Sequence, residues 1–338
     1  MNRPLLLIGH GARGFGSDAL IELVERLNLP VATTWNAMDM IPYDHPLCVG
    51  RPGTVSMPLA NWAMDNCDYL LTVGARFDNI VTRYMGQECA AQAKRSTVDI
   101  DMAELGKHRG SRYLFDSSEY LRLLPPVRYP DWIPTEGKYL KREYPTSGHL
   151  SHYQLVESLS ELLPEGQLIV TGSSGLAIEA FYQTFRNKKG QRIFHTTGLG
   201  AMGYGLPAAI GACLASGRKP TVLFESDGSL MFSIQNLATI AHLNLPITII
   251  VANNGGYASM RSTQRKYFDS CHIGVGAGIP DLCGLARAFG IRCAVLDSAK
   301  TLGAISVASY PFLFDVRLLE NEELSPRYGT PPPMMKAA

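Results

Sequence analysis

The sequence predicts an α/β protein built of two doubly wound, mainly parallel sheets. Three observations carry that prediction. Short apolar runs rich in β-branched residues recur, segments with helical apolar spacing separate them, and the runs end in glycine, serine, asparagine and acidic residues. The 338 residues provide for two domains, and 46% apolar against 18% charged residues provides for sizeable cores.

The first domain is expected over residues 1–122. Strand Pro4–Ile8 runs into Gly9-His-Gly-Ala-Arg-Gly14, and Leu20, Leu23, Val24 and Leu27 then share a helix face. Strand Pro30–Thr34, helix Pro58–Asp65, strand Tyr69–Val73 and strand Ser96–Asp101 follow. The spacing Gly9-x-Gly11-x-x-Gly14 after a first strand fits a dinucleotide fingerprint, but Thr33, Thr34 and Trp35 stand where an acid should end the second strand. Three readings remain: a tight turn in a Rossmann-like domain, NAD binding, or an adenine dinucleotide held in another mode.

Residues 123–150 read as an extended linker, since five prolines fall between Pro125 and Pro145. The charge run Lys138–Arg142 reads as its solvated face. The second domain, 151–338, begins with helix Tyr153–Leu163 and strand Gln167–Val170. The turn Thr171–Gly175 then opens a helix to about Phe185, suited either to capping or to a phosphate. Four glycines, Gly198, Gly200, Gly203 and Gly205, are spaced for close backbone approach before the alanine-rich helix Ala208–Ala215. Strands Pro220–Glu225 and Leu245–Ala252 flank a helical pattern, with Ser229 expected to cap its start. Helix Pro280–Phe289, strand Arg292–Leu296, helix Ala299–Ser306, strand Phe312–Val316 and an irregular tail from Glu320 complete the chain.

If the strands at 220–225 and 245–252 are neighbours, Asp227 and Asn254 meet at one carboxyl edge. A carboxylate, an amide oxygen and free turn carbonyls suit a hard cation such as Mg2+, and the glycine turns beside them suit a phosphate. A net charge of +1 gives no reason to expect nucleic acid or an anionic membrane, and no apolar run approaches the ~20 residues that span a bilayer. The seven cysteines lack C-x-x-C spacing, which predicts reduced core thiols in a cytoplasmic protein.

Asp227 and Asn254, twenty-seven residues apart, together with Gly198-Leu-Gly-Ala-Met-Gly-Tyr-Gly-Leu-Pro-Ala-Ala-Ile-Gly211, resemble the signatures of thiamine-diphosphate-dependent enzymes of the acetolactate synthase family. Gly74-Ala-Arg-Phe-Asp78, Asp99-Ile-Asp101 and Ala103–Lys107 resemble that family's central domain, so the likeness covers almost the whole chain. The stretch Asn254–Phe268 with Leu324–Arg327 looks more like homologues associated with surface-saccharide biosynthesis. The resemblance implies that Asp227, Asn254 and the Gly256 carbonyl hold Mg2+. It further implies that Ser173, Ser174, Gly228 and Ser229 donate to the diphosphate. Gly200, Ala201, Met202 and Tyr257 would contact the cofactor, with Met202 wedged beneath it in place of its bland role as a core methionine. Thiamine diphosphate would act as electron sink for decarboxylation of a 2-oxo acid such as pyruvate and transfer to an acceptor carbonyl.

Several positions depart from the family pattern. Ser226 replaces a glycine and would crowd the diphosphate; Ser174–Ala177 replaces a Gln-His-Gln turn; Thr263 replaces an acceptor-shaping tryptophan. FAD enters as a candidate cofactor through the central domain, although Val55-Ser56 stand where the family has a His-Gly pair. The resemblance places the activating glutamate on an N-terminal pyrimidine-binding domain, so no catalytic residue is expected within these residues. Glu179 and Glu225 belong to the diphosphate-binding half. The expected partners are a separate pyrimidine-domain chain, a homo-oligomer, or both. A catalytically inactive thiamine-diphosphate or nucleotide binder, or a truncated homologue, is the alternative.

Overall fold

The computed structural model describes residues 1–133, 142–144, 148–173, 175–196, 198–269, 273–276 and 278–328. The chain forms two compact units, Met1–Lys141 with Pro326–Ala338, and Arg142–Ser325.

The first unit holds β1 (Pro4–Ile8), β2 (Val31–Thr33), β3 (Cys48–Gly50), β4 (Tyr69–Val73), β5 (Lys94–Asp99) and β6 (Ser111–Leu114) in the parallel order β3-β2-β1-β4-β5-β6. Every residue of β1 is buried because both sheet faces are covered. Leu6 and Ile8 enter one core with Leu20, Leu23, Val24 and Leu27 of helix Ser17–Leu27. Leu5 and Leu7 enter the opposite core with Leu59, Ala63 and Met64 of helix Pro58–Asn66. Each such leucine contributes about 1.5–3 kcal/mol relative to an exposed one. The segment ahead of residue 134 packs on this unit, with Trp132 stacked on Trp62 and donating to the Pro4 carbonyl at 2.9 Å.

The second unit holds β7 (Leu168–Thr171), β8 (Arg192–Phe194), β9 (Thr221–Ser226), β10 (Ile247–Asn253), β11 (Arg292–Leu296) and β12 (Phe312–Arg317), again all parallel, in the order β11-β12-β10-β9-β7-β8. The apolar runs of β9 and β10 are central and buried. Leu223, Ile247, Ile249 and Val251 pack on one face with Leu237 and Ile240, while Phe224 stacks on Phe181 across the other.

Two expectations need correction. Cys283 and Cys293 form a disulfide with Cα atoms 5.3 Å apart, tying the first turn of helix Leu282–Ala288 to β11, whereas Cys48, Cys67, Cys89 and Cys213 are buried free thiols. Of the charge run 138–142 only Arg142 is described, and it is not simply solvated: its guanidinium lies 3.6 Å from the Tyr153 ring centroid and bonds the Ser325 carbonyl. Residues 258–267, for which the sequence predicts no element, form a helix. Among the described residues no helix is long and apolar enough to cross a membrane.

Candidate functional site

In unit two, Ser226 of β9 pairs with Ala252 of β10, so the residues that follow leave the sheet side by side at its carboxyl edge. Asp227 is fully buried there. Its Oδ1 accepts the Gly228 N–H at 2.6 Å, and its Oδ2 accepts the N–H groups of Asn254 at 3.1 Å and Gly256 at 2.9 Å. One carboxylate therefore ties the β9 turn to the β10 turn. Burial raises its pKa above the ordinary carboxylate value, and those backbone donors oppose the shift in part.

The two asparagines of the β10 turn point to different partners. Asn253 donates to Asp315 at 2.7 Å and accepts the Gly255 N–H at 3.2 Å, and Asp315 pairs with Arg317 at 2.7 Å. Asn254 directs Nδ2 at His152 Nε2, 3.0 Å away, and its buried Oδ1 has no partner among the described residues. Arg261, on the helix Ala258–Tyr267, donates to the Asn254 carbonyl at 2.9 Å from beneath the turn.

The glycine-rich loop closes the other side. The Ser173 hydroxyl bonds the Ala201 carbonyl, and the Gly203 N–H donates to the Ser229 hydroxyl at 2.9 Å. Gly200 and Gly203 adopt φ of +61° and +85°, a region that favours glycine. Gly228 is required for space, because a Cβ there would lie 2.4 Å from the Tyr257 ring. The edge thus gathers Ser173, Gly200, Ala201, Met202, Asp227, Gly228, Ser229, Asn254, Gly256 and Tyr257; Ser174 lies outside the described residues. Met202 is exposed in the turn before helix Gly205–Ala215, not a core methionine. Ser229 does not cap a helix. It is the third residue of the short helix Asp227–Leu230, and its hydroxyl serves the glycine loop.

Glu225 is the residue whose place sequence reasoning did not foresee. It is fully buried, and Cβ atoms at Gly172 and Gly205 would lie 2.0 and 2.2 Å from its carboxylate oxygens. Burial pushes its pKa up to about 7, against the pull of the Ser226 N–H, the Ser229 hydroxyl and the Gly205 N–H. The two glycines are thus explained by an acid as well as by any ligand.

The donor set fits a hard divalent cation. Among the described residues no three His, Cys, Asp or Glu side chains gather as a metal group, so a cation here would combine one carboxylate with neutral oxygens. Asn254 Oδ1 is a buried oxygen still lacking a donor. That is Mg2+ chemistry and not thiolate or imidazole chemistry.

The glycine fingerprint of unit one has a steric explanation. Residues His10–Phe15 form a 3-10 helix, and the α-helix starts only at Ser17. A Cβ at Gly9 would lie 2.1 Å from the Ala75 Cα, and one at Gly11 would lie 2.9 Å from the Gly74 Cα. The glycines let the β1 and β4 turns touch, as in the tight-turn reading. Ser56, at the position of the family's FAD-contacting pair, is buried and accepts from Asn61 Nδ2 at 2.7 Å.

Comparison with known proteins gives the family. Residues 171–309 match the thiamine pyrophosphate enzyme C-terminal TPP binding domain, and residues 1–120 match the central domain of the same enzymes. The chain is 33% identical to the acetolactate synthase large subunit of Pyropia yezoensis over 96% of its own length and 58% of that protein's. It is 31% identical to the acetolactate synthase isozyme 1 large subunit of Escherichia coli, with 96% and 60% covered. In fold it is similar to the thiamine diphosphate-dependent 4-hydroxybenzoylformate decarboxylase of Rhodococcus jostii, with TM-score 0.77, 23% identity, and 95% and 62% of the two chains covered. The chain therefore spans about three-fifths of the length of these relatives. With both domain models matched in order on the two sheets, the chain belongs to the thiamine pyrophosphate enzymes, with acetolactate synthase large subunits among its homologues.

Proposed function

We propose that these residues form the thiamine-diphosphate- and Mg2+-binding part of an acetolactate-synthase-like carboligase or decarboxylase acting on a 2-oxo acid such as pyruvate. The observation that carries the reading is the partnerless, buried Asn254 Oδ1 beside the Asp227 carboxylate. Asp227, Asn254 and the Gly256 carbonyl hold the cation. Ser173, Gly228 and Ser229 line the diphosphate, with Ser174 proposed beside them. Gly200, Ala201, Met202 and Tyr257 contact the organic part. When bound, thiamine diphosphate supplies the electron sink for loss of CO2. The protein's share is to fix the diphosphate and exclude water beneath it.

The same reading divides the chain at the linker 123–150 and assigns the glutamate that acts on the aminopyrimidine ring to a pyrimidine-binding domain outside these 338 residues. Apolar side chains at the site edge support a covering partner, with Leu199 92% and Phe232 57% exposed. FAD has no role in this reading. An inactive binder is the second reading, favoured by Ser226, which stands where the resemblance expects a glycine.

Calorimetric titration of thiamine diphosphate with and without Mg2+, in wild type and Asp227→Ala, tests the site. The variant should lose the metal-dependent part of the affinity, and equal affinities would sink the assignment. Pyruvate turnover on adding a pyrimidine-domain chain separates the enzyme from a stoichiometric but inert binder.

A further inference from the structure

We propose that Glu322 and His152 are positioning residues that fix the Asn254 side-chain amide with its oxygen turned to the cation. This rests on the assignment of Asn254 as a metal ligand. Ser151 caps the helix His152–Leu162 by accepting the Tyr153 N–H, which puts His152 at the first helical position. His152 is 1% exposed. Glu322 accepts the Ser151 hydroxyl at 2.5 Å and the His152 backbone N–H at 2.7 Å, and its Oε2 also lies 2.7 Å from His152 Nδ1. An ionised carboxylate can only accept, and two donors already hold Glu322 in that role, so the proton of a neutral imidazole facing it sits on Nδ1 and Nε2 keeps its lone pair.

That lone pair selects one end of Asn254. Nε2 stands 3.0 Å from Nδ2, where an amide N–H can donate. A half-turn of the amide would set Oδ1 against the same lone pair, acceptor against acceptor, and present an NH2 to the cation. The two ends of an amide are almost equal in shape, so packing alone does not choose between them. The imidazole does. Its choice leaves Oδ1 buried and without a partner among the described residues, the state a cation ligand needs. Partners that hold a metal ligand in its binding orientation raise metal affinity.

The experiment uses the full chain, Mn2+ as a paramagnetic probe and thiamine diphosphate. His152→Phe keeps the ring volume and removes the acceptor. It should weaken Mn2+ binding about 10–100-fold while leaving metal-free thiamine diphosphate affinity unchanged. In an Asn254→Ala background the same change should cost no more than about twofold, because its effect runs through the amide. Unchanged Mn2+ affinity in the single variant, or equal losses in both backgrounds, would overturn the inference. If His152→Phe fails to fold, 15N spectra of the histidine ring in wild type, recorded with no metal or cofactor, still decide. The Nδ1–H tautomer is expected, and an Nε2–H tautomer overturns it. Wild type that binds neither Mn2+ nor thiamine diphosphate would overturn the site assignment beneath the inference, a result distinct from the wrong tautomer.

Discussion

The Ser229 hydroxyl accepts the Gly203 N–H at 2.9 Å in a buried setting, and so joins the glycine-rich loop to the turn after β9. Ser229→Ala leaves that amide without a partner. The expected loss is about 1–3 kcal/mol of stability, read as a lower denaturant midpoint, together with weaker thiamine diphosphate binding. An unchanged midpoint would show that water replaces the hydroxyl.

Gly228 and Tyr257 are coupled by space. Gly228→Ala sets a methyl 2.4 Å from a ring carbon, and overpacking of this kind costs about 1–3 kcal/mol. Because the neighbour is a side chain, Tyr257→Ala should remove most of the penalty in the double variant. Additive losses in that cycle would place the strain in the backbone instead.

His108 makes the stability of the first unit depend on acid. It is fully buried on the Phe77 ring, with centroids 4.5 Å apart, and its ring nitrogens have no hydrogen-bond partner among the described residues. Burial first, and the nearby Arg95 charge second, lower its pKa from 6.5 to about 4. Above 6.5 the ring is neutral in both folded and unfolded chains. Between 6.5 and about 4 the unfolded chain takes up a proton that the folded chain refuses, so stability falls as pH falls. The loss over that window is on the order of 2–3 kcal/mol. Urea melts between pH 4.5 and 7.5 should show it, and His108→Leu should flatten it.

The Cys283–Cys293 bridge closes a loop ten residues long. In the chain-entropy model a loop of that size adds about 3 kcal/mol. Dithiothreitol should therefore lower the midpoint of wild type and leave a Cys283→Ser/Cys293→Ser variant unmoved. Alkylation of both cysteines in the unreduced, denatured protein would show that the bridge does not form.

Legibility followed continuous apolar runs in the sequence. β1, β4 and β11 have the bounds expected from apolar runs, and both sheets are doubly wound as predicted. The strands missed are β3, β6 and β8, each three or four residues at or next to a sheet edge, with β6 wholly exposed and so carrying no apolar signal. The helix Ala258–Tyr267 was unreadable for a related reason, since Ala258 and Arg261 are its buried positions and the rest is polar. Motif spacing brought Asp227 and Asn254 into view. It could not reveal His152 and Glu322, which lie 102 and 68 residues from Asn254; the fold alone sets His152 against Asn254 and Glu322 behind His152. Glu225 was visible but misjudged in its consequence, because its cost and its contact with two glycines exist only in three dimensions.

The uniform strand direction of the second sheet separates its two ends by trade. Every turn proposed to meet the cofactor leaves a carboxyl end, while the chain enters β9 and β10 at the opposite rim through Gly217–Pro220 and Asn244–Pro246. That rim carries no proposed ligand contact. It is the place to attach a fluorophore, tether the protein to a surface or splice in a tag, leaving the working end untouched.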